Sequence, residues 1–160
     1  HYEQTDAEQA IAELSEGLRF FKDQPDLLYS RALLYAQEQQ VAAAEKDLNK
    51  IIEQQPDHAD ALNALGYTWA DNDMNLDQAL DYIERANELK PDNSAILDSL
   101  GWVHYKRGDL LKAEHFLRES LRQPGVSAET YEHLIVVLEA QNKANEADLI
   151  RQKLKAFLAD

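Results

Sequence analysis

The sequence predicts an all-α protein built as a stack of antiparallel helix pairs, and three observations support this fold class. Alanines recur at steps of 34, 35, 34 and 34 residues, which is typical of a stacked repeat architecture. Apolar residues recur three and four positions apart, as on one face of an α-helix. Glycines and prolines number only 5 and 4, so few positions interrupt a helix. The repeated alanines are Ala10, Ala44, Ala79, Ala113 and Ala147.

Two further columns keep the same step and indicate how the pairs pack. One column is Leu28, Leu62 and Leu97, and the other is Ala32, Gly66 and Gly101, with Ile135 in the fourth place. The small residues let two antiparallel helices approach closely, while the leucines fill the space between neighbouring pairs. Because one pair cannot bury its apolar face alone, the pairs are expected to stack.

Prolines mark four of the boundaries between the nine predicted helices. Pro25, Pro56 and Pro91 each precede a helix, and Pro124 with Gly125 separates two more. The predicted helices span 6–22, 26–39, 41–55, 59–72, 76–89, 94–107, 110–122, 128–141 and 144–159.

Two of these helices are expected to begin at an aspartate. Asp57 and Asp92 each follow a proline directly. A carboxylate at the N-cap accepts hydrogen bonds from the free N–H groups of the first helical turn.

The first and last helices, which form the two ends of the stack, each carry an apolar face. The first helix has Ile11, Leu14, Leu18 and Phe21 on one side, and the last has Ile150, Leu154, Phe157 and Leu158. Terminal repeats need a polar outer face for solubility. We therefore expect the first helix to pack on preceding repeats of a longer protein or to self-associate. The last helix is expected to use its apolar residues in capping the stack.

The repeated pattern resembles the tetratricopeptide repeat. Its elements are Leu-Gly, an aromatic residue, an alanine with an apolar residue four positions later, and a closing proline. NALGYTWAD, from Asn63 to Asp71, and ILDSLGWVHYKRGDLLKA, from Ile96 to Ala113, carry it most clearly. The resemblance implies a right-handed superhelical solenoid of antiparallel helix pairs.

The resemblance covers almost the whole chain and implies one array over residues 1–160. This array comprises a lone helix at 6–22 and repeats at 25–58, 59–93, 94–127 and 128–160. The first repeat has Arg31 where an apolar residue is usual, and the fourth has Asn142 in place of the turn glycine. One extra residue between Gly66 and Ala79 is expected in the turn around residues 71–75, since loops absorb insertions readily.

A narrower resemblance rests on the strings NALGYTWAD, residues 63–71, and ILDSLGWVHYKRGD, residues 96–109. They are similar to a proteobacterial group of outer-membrane tetratricopeptide lipoproteins, one kind of which is an adaptor that binds a carboxyl-terminal processing protease in the periplasm. This implies a periplasmic, outer-membrane-anchored full protein with a protease as one candidate partner. A cytoplasmic location is the alternative. The sequence starts at His1 without a signal peptide, and we expect it to be part of a longer chain.

The composition indicates which partners suit the chain. It has 44% apolar residues, and its 30 acidic and 16 basic residues give a formal net charge of −14. This charge disfavours nucleic acid and anionic lipid and attracts basic segments, although solubility alone is an alternative reason for it. No stretch reaches the roughly 18 apolar residues of a membrane-spanning helix. The absence of cysteine excludes disulfides and thiolate metal sites.

No pattern in the sequence indicates catalysis, a metal or a cofactor. The five histidines are His1, His58, His104, His115 and His133. No two of them are three or four positions apart. Such spacing would be needed to put two metal ligands on one helix face. No nucleophile elbow and no Gly-rich phosphate loop is present. Glu129 and Glu132 could in principle act as an acid–base pair, but on so acidic a chain a solvated helix face is the better explanation.

The resemblance implies a concave groove lined by the first helix of each repeat. On that lining we expect a binding site comprising Tyr29, Asp60, Asn63, Tyr67, Asp98, Trp102, Tyr105, Lys106, Glu129 and Glu132. Tyr67, Trp102 and Tyr105 are expected to form an aromatic strip flanked by acids, because Trp and Tyr dominate interface hot spots. The alternative is that these aromatic residues only pack between repeats.

The leading interpretation is a non-enzymatic adaptor that holds a segment of a partner protein, with both basic and hydrophobic residues, in the groove. The alternatives are a structural or oligomerisation module that uses its end helices, and a regulatory module of a larger enzyme. In cochaperones of the family, groove cations clamp a terminal carboxylate. The corresponding residues here are Tyr29, Leu33, Ala64, Ala95 and Ser99, so binding of an acidic chaperone tail is not expected.

Overall fold

A computed structural model describes residues 2–160, with side chains from Asp6 onward. Within this range the chain forms nine α-helices and no strand. All nine predicted helices are present, and the largest shift of a boundary is at the first, which begins at Tyr2. The helices are α1 Tyr2–Phe20, α2 Pro25–Gln37, α3 Val41–Gln54, α4 Ala59–Asp71, α5 Leu76–Leu89, α6 Ser94–Lys106, α7 Leu110–Leu121, α8 Ala128–Ala140 and α9 Ala144–Ala159.

The helices form a right-handed solenoid of antiparallel pairs. Each helix packs against the next one in the chain, most extensively within the pairs α2–α3, α4–α5, α6–α7 and α8–α9. The even-numbered helices also pack on one another, α2 on α4, α4 on α6 and α6 on α8. They therefore form one continuous wall of the solenoid. No described helix has the length and apolar character that crossing a bilayer requires.

The small-residue columns lie where the two helices of a pair meet. Ala44, Ala79, Ala113 and Ala147 are each 0% exposed. A Cβ atom added at Gly66 would lie 2.6 Å from Ile83 Cγ1 and 2.9 Å from the carbonyl oxygen of Ala79. The predicted close approach of the helices is confirmed, because the alanines are fully buried and Gly66 leaves no room even for a Cβ atom.

The turns within the pairs differ in length as the sequence predicted. Residues 38–40, 107–109 and 141–143 connect three of the pairs, whereas the longer segment 72–75 connects α4 to α5. The extra residue therefore lies in that turn. Asn142 has a φ of 60° and Gly108 a φ of 87°, so the asparagine adopts the left-handed conformation that Gly108 supplies in the preceding repeat.

The two aspartate caps were predicted one residue too early. The N-cap of α4 is His58, whose Nδ1 accepts a hydrogen bond from the Ala61 N–H at 3.0 Å. The N-cap of α6 is Asn93, whose Oδ1 accepts from Ile96 N–H at 3.1 Å. Asp92 has a φ of 59°, which is not the extended conformation of an N-cap residue.

A charged pair replaces an apolar contact in the first helix pair. Arg31 donates from Nε and Nη2 to the two carboxylate oxygens of Asp47, both at 2.7 Å. Arg31 Nη1 also donates to Ser15 Oγ at 3.1 Å. This network joins α1, α2 and α3. The position of Arg31 is held by Leu65, Leu100 and Leu134 in the following repeats.

The two ends of the stack differ in how they use their apolar residues. Leu18 packs against the core, whereas Phe20 and Phe21 at the end of α1 are 75% and 65% exposed. In α9, Ile150 is 3% exposed, but Phe157 and Leu158 are 38% and 66% exposed. Phe157 packs on Tyr131 of α8, with 5.2 Å between ring centroids. The expectation that the last helix uses all its apolar residues in capping is therefore wrong for Leu158.

Candidate functional site

The wall of even-numbered helices encloses two adjoining cavities, which together we call the groove. Cavity A has a volume of about 220 Å³ and is lined from α2, α4, α6 and α8. Cavity B has a volume of about 360 Å³ and is lined mainly by the carboxyl-terminal halves of α2 and α4. The residues that line both cavities are Leu33, Ala64, Tyr67 and Glu129.

The structure brings half of the predicted site together in cavity A. The predicted residues that line it are Tyr29, Asn63, Tyr67, Asp98 and Glu129. The positions that correspond to the family's carboxylate clamp line it as well, namely Tyr29, Leu33, Ala64, Ala95 and Ser99. The lining of cavity A contains no Lys or Arg, so it offers no cation to a carboxylate.

The other predicted site residues lie outside the two cavities. Asp60 is paired with Lys90, at 3.1 Å between Oδ2 and Nζ. Lys106 is paired with Asp73 at 3.1 Å. Glu132 is exposed on α8. The remaining two are Trp102 and Tyr105, neither of which lines cavity A or B.

Trp102 is held in the wall and does not present its ring to solvent. Its side chain is 9% exposed, and its Nε1 donates to Asp71 Oδ1 at 3.0 Å. Its ring stacks on His133 at 4.0 Å and on Tyr105 at 4.8 Å between centroids. Of the three residues expected to form an aromatic strip in the groove, only Tyr67 lines the cavities. Packing between repeats, the alternative interpretation, accounts for Trp102.

A polar network joins three residues of the groove lining, Tyr67, Asp98 and Glu129, to the buried His133. His133 Nδ1 lies 2.9 Å from Asp98 Oδ1, and its Nε2 lies 3.5 Å from Glu129 Oε1. The Tyr67 hydroxyl donates to the same Glu129 oxygen. Asp98 is 7% exposed, so its carboxylate supports His133 and is not a surface charge that steers a partner. Glu129 is the accessible acid of this network, with 53% of its side chain exposed.

The network changes the proton affinity of His133. Burial lowers the pKa of His133, but its hydrogen bond with Asp98 and the charges of Asp98, Glu129 and Asp71 together outweigh burial and raise the pKa above its usual value. Protonation therefore accompanies folding at this position. The protonated His133 therefore stabilises the folded chain. This stabilisation is fully present below about pH 6.5, the usual pKa of histidine, and is lost as the pH rises through the higher pKa of the folded state.

We predict that His133→Gln destabilises the protein more under acidic than under alkaline conditions. Urea denaturation of the wild-type and variant chains at about pH 5.5 and about pH 8.5 measures this. His104, whose pKa burial lowers, contributes equally to both chains, so the difference between them isolates His133. If the variant loses the same free energy of unfolding relative to the wild-type chain at both pH values, the prediction is contradicted.

Some cavity residues had no signal in the sequence. Gln37, Asp71 and Asn72 line cavity B from the carboxyl-terminal ends of α2 and α4, and Gly125 and Ser127 line cavity A from the loop before α8. The periodic pattern fixes the faces of the helices, but it does not show where a helix end or a loop meets a neighbouring helix. Among the residues with described side chains, no three His, Asp or Glu side chains are grouped so that they could hold a metal ion.

A solenoid of helix pairs with a groove along one wall defines a helical-repeat protein of the protein-interaction class. The tetratricopeptide repeat model matches residues 1–57 and 29–94. The chain therefore belongs to the tetratricopeptide repeat family, whose members are generally non-catalytic scaffolds for protein–protein interaction.

Two curated proteins are similar in sequence. The TPR repeat-containing protein PA4667 of Pseudomonas aeruginosa is 43% identical over 116 residues, which is 72% of this chain and 20% of that protein. Bacteriophage adsorption protein A of Escherichia coli is 31% identical over 90 residues, 56% of this chain and 9% of that protein. The chain thus spans only a small part of each relative's length.

Solved structures share the fold at lower identity. A thermophilic TPR protein of Thermus thermophilus superimposes with a TM-score of 0.85 at 18% identity, covering 96% of this chain and 84% of that one. A tetratricopeptide repeat protein of Parabacteroides merdae gives a TM-score of 0.80 at 17% identity, with 97% and 60% coverage. These similarities support the solenoid fold.

Proposed function

We propose that the chain is a non-enzymatic adaptor that holds a segment of a partner protein in the groove. The observation that carries this proposal is the pair of adjoining cavities lined from four successive even-numbered helices. A site of this shape suits an elongated ligand, because no single repeat contains it. Concave sites with apolar walls and a few polar groups are the usual form of binding sites.

The lining supports a partner segment with both hydrophobic and basic residues. Leu33, Ala64 and Ala95 provide apolar surface, while Glu129 provides an accessible carboxylate. The net charge of −14 favours the approach of a basic segment, an effect that acts mainly on the association rate. Affinity is then expected to come from the apolar contacts.

We expect Leu33→Lys to weaken binding of such a segment by about 2 kcal/mol, or roughly thirtyfold in Kd. Leu33 lines both cavities and is 40% exposed, so lysine removes apolar contact without disturbing the core. A cellulose-bound array of peptides rich in arginine and leucine identifies ligands, and surface plasmon resonance measures their affinity.

The matched control is Leu111→Lys. Leu111 is 75% exposed on α7 and lines neither cavity, so the same substitution there should leave the affinity unchanged. Circular dichroism establishes that both variants stay folded. Equal loss of binding in the two variants, or no loss in either, would contradict binding in the groove.

A second candidate function is self-association through the N-terminal helix. Phe20 and Phe21 favour it, because two adjacent large apolar side chains are exposed at the end of α1. Light scattering over a range of concentrations tests this candidate. A constant monomer mass, unchanged by Phe20→Lys with Phe21→Lys, would remove it.

The cellular setting is also a proposal. We propose that the full protein is a periplasmic, outer-membrane-anchored adaptor, and that a processing protease is among its candidate partners. The support is the similarity of segments 63–71 and 96–109 to the lipoprotein group described above. Fractionation of cells that express the complete gene tests this location, and recovery in the cytosol would overturn it.

A further inference from the structure

One hydrogen bond crosses the groove between helices that do not pack together. Tyr67 near the end of α4 donates through its hydroxyl to Glu129 in the first turn of α8. Helix α6 lies between them, since α4 packs on α6 and α6 on α8. Within the described chain, this side-chain contact therefore joins helix pairs that are not neighbours in the stack.

The two side chains stand where cavities A and B adjoin. Tyr67 and Glu129 line both cavities. A segment that extended through both cavities would have to pass this contact. The contact is thus positioned to control whether the groove is used as two short sites or as one long site.

The surroundings favour a particular kind of donor. The lining of the two cavities includes the carboxylates of Asp71, Asp98 and Glu129 and contains no Lys or Arg. Asp71 accepts from Trp102 and lines cavity B alone, and the buried Asp98 faces His133 and lines cavity A alone. Glu129 is the accessible carboxylate that lines both cavities, and its Oε1 also lies 3.5 Å from His133 Nε2. Asn63 Oδ1, also in cavity A, is buried and accepts no hydrogen bond from the described residues.

We propose that Tyr67 and Glu129 form a latch across the groove, which a basic side chain of the bound segment opens by replacing the tyrosine hydroxyl as the donor to Glu129. This inference rests on the proposed binding in the groove, and it adds a reason why the groove would select a segment with a basic side chain. Burial, together with the hydrogen bond to Glu129, raises the pKa of Tyr67, so the hydroxyl is a neutral donor under physiological conditions. The tyrosine bond to Glu129 has a charged acceptor but a neutral donor, whereas a guanidinium adds a positive charge and can donate two parallel hydrogen bonds to one carboxylate.

Two peptides that differ in one group test the exchange of donors. Acetyl-Ala-Leu-Arg-Leu-Ala-amide carries a guanidinium, and the same peptide with citrulline in place of arginine is nearly isosteric but uncharged. Isothermal titration calorimetry measures both against the wild-type, Tyr67→Phe and Glu129→Gln chains. Tyr67→Phe removes the competing hydroxyl and should raise the affinity for the arginine peptide about fivefold to tenfold. Glu129→Gln should abolish the preference for arginine over citrulline.

Tyr105→Phe is the matched control for the loss of a hydroxyl. Tyr105 is half-buried on α6 and lines neither cavity, so its variant should bind both peptides as the wild-type chain does. If Tyr67→Phe binds the arginine peptide no better than the wild-type chain while Leu33→Lys still weakens binding, the latch is overturned and the groove proposal stands. If Leu33→Lys has no effect on peptide binding, the groove proposal and the latch both fail.

A measurement without ligand tests the latch itself. The chain has no cysteine, so spin labels can be placed at cysteines substituted for the exposed Ser30 on α2 and Glu132 on α8. Double electron–electron resonance should show longer and more widely distributed distances in Tyr67→Phe than in the unsubstituted labelled chain. Identical distributions would overturn the latch, whatever the peptides do.

Discussion

Arg31→Leu should lower the free energy of unfolding by about 3–5 kcal/mol, because it leaves a buried carboxylate without its partner. Asp47 is 1% exposed and receives two hydrogen bonds of 2.7 Å from Arg31. The neighbouring repeats have leucine at the position of Arg31, so the substitution looks conservative in a sequence comparison of the repeats. Urea denaturation followed by circular dichroism measures the change.

The control removes both charges. Arg31→Leu combined with Asp47→Ile reproduces the contact of the last helix pair, where Leu134 and Ile150 hold the equivalent positions and are 0% and 3% exposed. Replacing a buried ion pair by apolar residues of suitable volume is often neutral or stabilising. The double variant should therefore regain most of the lost stability. If it is as unstable as Arg31→Leu alone, the buried charge is not the cause.

Gly66→Ala should lower the free energy of unfolding by about 2 kcal/mol, because an added methyl group overfills the contact between α4 and α5. The new Cβ would lie 2.9 Å from the backbone carbonyl oxygen of Ala79, which cannot move without displacing α5. Alanine favours a helix over glycine by up to about 1 kcal/mol, and the overlap has to exceed that gain.

Gly17→Ala is the matched control within another helix. A Cβ at Gly17 would meet only Leu27 Cδ1, at 3.4 Å, which is an ordinary contact with a flexible side chain. Gly17→Ala should raise the free energy of unfolding by about 0.5 kcal/mol, because alanine favours a helix over glycine. Thermal denaturation of the two variants side by side decides the question. Equal melting temperatures would show that the close approach at Gly66 is not tight.

Much of the groove lining followed from the repeat. Tyr29, Asn63 and Tyr67 lie in cavity A as expected, because the repeat fixes which face of each first helix turns toward the concave wall. Trp102 shares that helix face in the next repeat, yet it is buried against His133. Periodicity gives the direction in which a residue projects but not whether a neighbouring repeat covers it.

The sequence by itself determined the nine helices, their pairing and the solenoid. Helix breakers such as Pro56 and Pro91 act on residues close to them in the chain, and the buried alanines recur once per repeat. Both signals can therefore be recognised in the sequence alone. The tertiary structure alone decided the hydrogen bond between Tyr67 and Glu129 and the position of His133 between Asp98 and Glu129. These contacts depend on the curvature of the wall, which is set by the packing of three successive even-numbered helices and not by any one repeat.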